Sequence, residues 1–209
     1  MKSILSGSFF KYIKPGLGYY GDEPGSPRQI THDGDTIKVY DAGNLGVRFL
    51  GIDTPESSYP VKDSGSSRFY KTDADEWINF LNNVEDRWPE MKQVLGEELS
   101  QNLLNRMVNT NAAQNHHQLA EAAEDKLEII IMDDMQHFGY DKSTMKFFLP
   151  FAYEMMDSFG RLLSFVNTHV ENRDDRKPDY NYRMLEAGAA LPYFIWPNVN
   201  PFRKEPTLV

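Results

Sequence analysis

The sequence predicts an α+β fold, and three observations carry the prediction. Apolar residues alternate with polar ones over about 35–41 and 46–52, as in a half-buried hairpin. The middle of the chain then changes to helical spacing, and strand-like runs return near the C-terminal end.

Element by element, residues 14–27 carry seven prolines and glycines and read as a long irregular loop. Strands are expected at about 28–32, 35–41 and 46–52, with Asp41-Ala42-Gly43-Asn44 as the turn. Polar and small residues from Ser57 to Ser67 read as another loop. Thr72 and Asp73 are candidate caps for a helix whose apolar face is Trp77, Ile78, Phe80, Leu81 and Val84. Pro89 opens a second helix, with Met91, Val94, Leu95, Leu99, Leu103 and Met107 at helical spacing. An Ala-rich third helix over 111–126 leads into Leu127-Glu128-Ile129-Ile130-Ile131, which reads as a strand. Residues 133–144 look like a turn-rich connection. Met145 to Tyr153 is extended but interrupted by Pro150. Leu162 to Val166 forms a strand, 171–179 a loop, and 180–187 a short helix capped by Asp179 and closed by Gly188. The tail from Pro192 is extended.

Length and composition suit one domain with an elaboration, or two small ones: 209 residues, 40% of them hydrophobic. The absence of cysteine excludes disulfides, thiolate metal sites and cysteine nucleophiles, and leaves the compartment open. Ile4-Leu5 and Phe9-Phe10, broken by Gly7, are too short for a secretory core or a membrane span. A soluble protein is expected, cytoplasmic if the chain is complete, with no membrane partner. Net charge is −9, and residues 57–147 hold 16 acids against 9 bases while both flanks are nearly neutral. Phosphate binding would therefore rest on a local field.

The chemistry-bearing residues cluster in Asp33-Gly34-Asp35-Thr36, Arg48 and Asp53-Thr54-Pro55-Glu56. Folding the hairpin at 41–44 brings Asp35 and Asp53 to one sheet edge. Two close carboxylates stay ionised only with a cation between them. An arginine alongside adds a fork suited to phosphate. Each piece also has a plain reading: Asp-Gly as a turn, Arg48 as a surface ion pair, Thr-Pro-Glu as a helix start. His116 and His117 are adjacent, so on a helix they point about 100° apart and cannot chelate one metal. They read as solvated, as do Glu97-Glu98 and Asp133-Asp134. Trp77, Trp88 and the 91–107 stripe read as packing.

In their order and spacing these residues resemble the thermonuclease (staphylococcal nuclease-like) family. The motifs are Asp33-Gly34-Asp35-Thr36, the run from Arg48 to Asp53-Thr54-Pro55-Glu56, and Phe159-Gly160-Arg161-Leu162. The later helix and the stretch from Tyr193 to Asn198 add to the likeness, which covers about residues 28–56 and 155–200. The resemblance implies a single domain over 1–209, a five-stranded OB-fold-like β-barrel with packed helices. The stretch between Glu56 and Arg161 exceeds that of compact members, which places a helical insertion at 68–110 and the family helix at 111–126. Ser158 stands where compact members carry lysine.

By the same resemblance, Asp35, Asp53 and the Thr54 carbonyl would bind Ca2+, with Asp33 orienting a metal-bound water. Glu56 would accept a proton from the attacking water. Arg48 and Arg161 would grip the phosphodiester, and Tyr193 would stack on a base. The expected activity is calcium-dependent hydrolysis of DNA or RNA with little sequence preference, leaving 3′-phosphates. The alternative is a non-catalytic module on the same barrel that binds nucleic acid or protein. The acidic insertion is the candidate surface for a protein partner.

Overall fold

The computed structural model describes residues 17–20, 31–40, 44–63 and 66–193, and over these the chain is α+β. It divides into two units, one made of 1–54 and 122–209 and the other of 55–121.

The first unit is built on an eight-stranded sheet. Its strands are β1 (Leu17–Tyr20), β2 (Thr31–Asp33), β3 (Thr36–Tyr40), β4 (Asn44–Phe49), β8 (Lys146–Phe148), β9 (Phe151–Met156), β10 (Leu162–Ser164) and β11 (Asn167–Thr168). The order is β11-β8-β1-β3-β4-β10-β9, with β2 beside β3. The expected hairpin forms, with Thr36 opposite Arg48 and Tyr40 opposite Asn44. Its turn, at 41–43, lies outside the described residues. One pairing is parallel, β4 with β10, and it sets Leu162 beside Val47 and Leu163 beside Arg48. Among the described residues the ladders form an open path, not a closed barrel. A separate two-stranded sheet pairs β5 (Gly51–Asp53) with β12 (Leu191–Tyr193).

Against the sheet lie α5 (Ala112–Phe138), whose second half belongs to this unit, and α6 (Tyr180–Glu186). The core joins Ile37, Val47, Phe49 and Ile52 to Leu127, Ile131, Phe147, Leu162, Tyr180 and Met184. Asp179 caps α6 by accepting the Tyr182 amide at 2.7 Å. Gly188, at φ +68°, takes the left-handed position that closes it. Buried Asn181 ties α6 to the sheet: its Nδ2 donates to the carbonyls of Leu50 and Ser164, and its Oδ1 accepts the Val166 amide.

Several expectations need correction. Residues 127–131 are helix, not strand, and α5 runs on to Phe138, through the expected connection. Ala123, Leu127, Ile131 and Asp134 are buried at helical spacing, and that stripe outweighs the β-preference of three isoleucines. Asp134, expected on a solvated face, is fully buried. It accepts from Thr168 Oγ1 at 2.7 Å, Lys177 Nζ at 2.9 Å and Arg183 Nη1 at 2.8 Å. Burial pushes its carboxyl up, but those donors outweigh burial and hold it below its ordinary value. β1 lies inside the expected irregular loop, and Pro150 splits the 146–156 segment as its missing N–H requires.

The second unit carries a two-stranded sheet, β6 (Ser58–Asp63) with β7 (Ser66–Lys71), where a loop was expected over 57–67. Serine-rich strands hide their period, and Tyr59, stacked on Trp77 at 4.9 Å, is the apolar anchor. Its helices are α1 (Asp75–Asn82), α2 (Val84–Arg87), α3 (Met91–Leu95), α4 (Glu97–Met107) and the first half of α5. The single helix expected from Pro89 is two, broken at Gly96 with φ +80°. Val84, Met91 and Leu104 form a small core with Phe80, Leu95 and Met107, while Val94 and Leu99 are exposed. Thr72 and Asp73 do not cap α1, whose N-cap is Ala74 without a side-chain bond.

The adjacent histidines are not solvated. His116 Nε2 meets the Glu56 carbonyl at 2.9 Å, and His117 Nδ1 meets Thr72 Oγ1 at 3.1 Å. No helix among the described residues is long and apolar enough to cross a membrane.

Candidate active site

The hairpin and the strand after it assemble a carboxylate–arginine cluster within the first unit. Asp35 sits at the turn into β3, where its carbonyl accepts the Phe49 amide at 2.9 Å. Its carboxylate is almost wholly buried and is held by three donors. Thr36 Oγ1 donates to Oδ1 at 3.0 Å, the Thr54 amide donates to Oδ2 at 3.1 Å, and Arg48 pairs with Oδ2. A second nitrogen of the Arg48 guanidinium pairs with Asp53. The cation that two neighbouring carboxylates require is thus supplied by this side chain.

Local sequence explains the convergence. Arg48 lies on β4 directly opposite Thr36, the residue after Asp35. Gly51, at φ +77°, turns the chain from β4 into β5, which delivers Asp53 and Thr54 to the same end of the hairpin. The side chain of Asp53 is 45% exposed whereas that of Asp35 is 2% exposed, so the cluster has one buried and one open carboxylate. The Thr54 hydroxyl is buried with no hydrogen-bond partner. Hydroxyl and carboxylate oxygens are hard donors of the kind Ca2+ takes, but Arg48 pairs with both carboxylates here, and among the described residues no group of three or more acidic or histidine side chains is gathered to hold a metal ion.

Arg161 comes to the same face of β4. A Cβ on Gly46 would lie 3.1 Å from Arg161 Cγ, so this side chain packs where Gly46 has none. Gly46 and Arg48 are two apart on one strand and project to one side. Asp157 holds Arg161 in place. Its Oδ1 accepts the amides of Phe159 and Arg161, each at 2.9 Å, and its Oδ2 accepts Arg161 Nε at 2.7 Å. Burial pushes the Asp157 carboxyl up, but the bonds from Arg161 outweigh it and leave it below its ordinary value. Asp157 was not among the residues singled out from sequence. Its signal was present as Asp-x-x-Gly, the composition of a tight turn.

Tyr193 is exposed on β12 opposite Gly51, while Leu191 is opposite Asp53. Antiparallel partners share a face, so Tyr193 and Asp53 project from one side of this small sheet. Asp33 pairs with Thr36 through its main chain, and its side chain lies outside the described residues. Glu56 belongs to the second unit. The structure therefore brings together Asp35, Arg48, Asp53 and Thr54, with Arg161 on the same sheet face as Arg48. Neither a protein-family model nor a curated protein matches this chain.

Proposed function

We propose that this protein is a calcium-dependent nuclease that hydrolyses DNA or RNA with little sequence preference. The observation that carries the reading is the Arg48 guanidinium held between Asp35 and Asp53. An arginine in that position can swing one fork to a phosphate while the carboxylates accept a metal ion. Asp35, Asp53 and the oxygens of Thr54 would hold Ca2+, which supplies charge neutralisation at the phosphate when bound. Arg48 and Arg161 grip non-bridging oxygens and stabilise the charge that grows there during in-line attack. Glu56 takes the proton of the attacking water as the P–O5′ bond breaks, leaving a 3′-phosphate and a 5′-hydroxyl. Tyr193 supports a base by stacking.

The same reading takes β1, β3, β4, β10 and the pair β8–β9 as the strands of an OB-type barrel. Its support is sequence adjacency across the sheet: β9, at one edge beside β10, and β8, next to the other edge and beside β1, are separated only by Leu149 and Pro150. The parallel β4–β10 pairing agrees with it.

Digestion of single-stranded DNA and RNA across a calcium titration tests the proposal. Cleavage is expected to appear with calcium, vanish with chelator and fall by roughly a hundredfold or more in Arg161→Ala. Cleavage that ignores chelator, or full activity in Arg161→Ala, overturns it. A second reading, a non-catalytic module for nucleic acid or a protein partner, is favoured by the excess of acids over residues 57–147. Tight binding of a labelled oligonucleotide in calcium without turnover would select it.

A further inference from the structure

We infer that His116 and His117 are positioning residues that clamp the main chain at Glu56, so that the helix bearing them supports the catalytic carboxylate. The inference rests on the nuclease reading, which assigns Glu56 to the attacking water, and deepens it. All the residues involved lie within the second unit.

The geometry is a pair of consecutive carbonyls, the first met directly from α5 and the second held by Thr72, which α5 contacts in turn. The Glu56 carbonyl meets His116 Nε2 at 2.9 Å. A carbonyl only accepts, so Nε2 carries the proton. The Ser57 carbonyl accepts the Thr72 amide at 3.0 Å and Thr72 Oγ1 at 3.3 Å. That hydroxyl, on a fully buried threonine, in turn meets His117 Nδ1 at 3.1 Å. His117 Nε2 faces Asp73 at 3.4 Å and Glu121 at 3.7 Å, which hold the ring from the other side. Two neighbours on a helix diverge by about 100°, which unfits them for one metal but lets one reach the Glu56 carbonyl and the other the Thr72 hydroxyl.

Glu56 is thereby fixed from both directions. Pro55 before it has a locked φ, and Thr54 before that proline is confined to extended backbone. After it, the 56–57 and 57–58 peptide planes are both anchored. Tyr59, next along, stacks on Trp77 and lies 5.5 Å from the His116 ring. A carboxylate on a loop gains from such support because rate depends steeply on where the base is held. The segment from Pro55 to Glu121 thus has a task beyond decoration: it returns the chain to the loop it left.

The test uses His116→Ala, His116→Gln and His117→Ala in the full chain. Cleavage at saturating substrate is expected to fall roughly tenfold or more in His116→Ala, with KM and calcium midpoint within about twofold. His116→Gln, whose amide N–H can reach the same carbonyl, recovers most of the rate, which a general loss of stability would not allow. Independently of activity, nitrogen-15 NMR should find a slowly exchanging proton on His116 Nε2, and the Thr72 amide should lose protection in His117→Ala. Unchanged kcat in both alanine variants overturns the clamp, as does a neutral His116 protonated only on Nδ1. If the wild-type protein cuts nothing in calcium, the nuclease reading fails and the catalytic role of the clamp fails with it. The imidazole spectrum and Thr72 exchange then decide separately whether the clamp exists.

Discussion

Arg48 does two things that pull in different directions. It neutralises Asp35 and Asp53, and in the proposed reaction it must also turn to a phosphate. Its neighbour two positions back makes room for the second arginine, because Gly46 has no side chain where Arg161 Cγ lies. Two glycine substitutions separate site geometry from folding. Gly46→Ala meets only a flexible side chain, so its cost in stability should stay within about 1 kcal/mol while cleavage falls by roughly tenfold or more. In Gly34→Ala the new Cβ would lie 2.7 Å from Ala123 Cβ and 3.0 Å from the Ala123 carbonyl carbon, so backbone must move. That change should cost about 1–3 kcal/mol, read as a lower urea midpoint. Equal stability losses in the two variants would show that Arg161 cannot yield at Gly46.

At the scale of elements, α5 and α6 are joined to β11 by a single buried carboxylate. Asp134, on α5, accepts from Thr168 of β11, Arg183 of α6 and Lys177 before α6. The Thr168 hydroxyl also meets the Tyr180 phenol, which burial, reinforced by Asp134, pushes well up. Because the folded value of Asp134 is depressed, its contribution to stability is present above the unfolded carboxylate value of about 4. It is lost as pH falls through the folded value. Melting curves from pH 7 to 2 should therefore show wild type and Asp134→Asn converging below about pH 4. A stability gap that persists unchanged at pH 2 would assign the network's worth to shape instead of charge.

For the whole molecule, charge is the governing fact. The chain is strongly acidic, yet the candidate site offers two arginines on one sheet face. Binding of single-stranded DNA should then follow the phosphates those two neutralise. The logarithm of the association constant should fall against the logarithm of salt with a slope of about −1.4, at fixed calcium and in a variant unable to turn over. A slope several times steeper would mean that further cations bind the strand and that the site extends beyond this pair. The acidic bias of residues 57–147 works against loose, non-specific binding of polyanions and leaves recognition to the short-range grip.

Read unaided, the chain determined the local patterns: the 36–49 hairpin, the Asp179–Gly188 limits of α6, the break at Pro150, and the motif residues at the hairpin's end. Alternation, capping and turn chemistry are written over a few residues, so they survive without context. Tertiary structure alone decided that Leu127 to Ile131 is helix, that Ser58 to Lys71 is a hairpin, and that Asp134 is buried. It alone gave each histidine a carbonyl or its donor. The states of Asp134 and of the two histidines depend on partners 34 to 60 positions away, as with Thr168 for Asp134 and Glu56 for His116. An isoleucine run or an acidic pair takes its state from what it packs against, and that is not encoded in its neighbours.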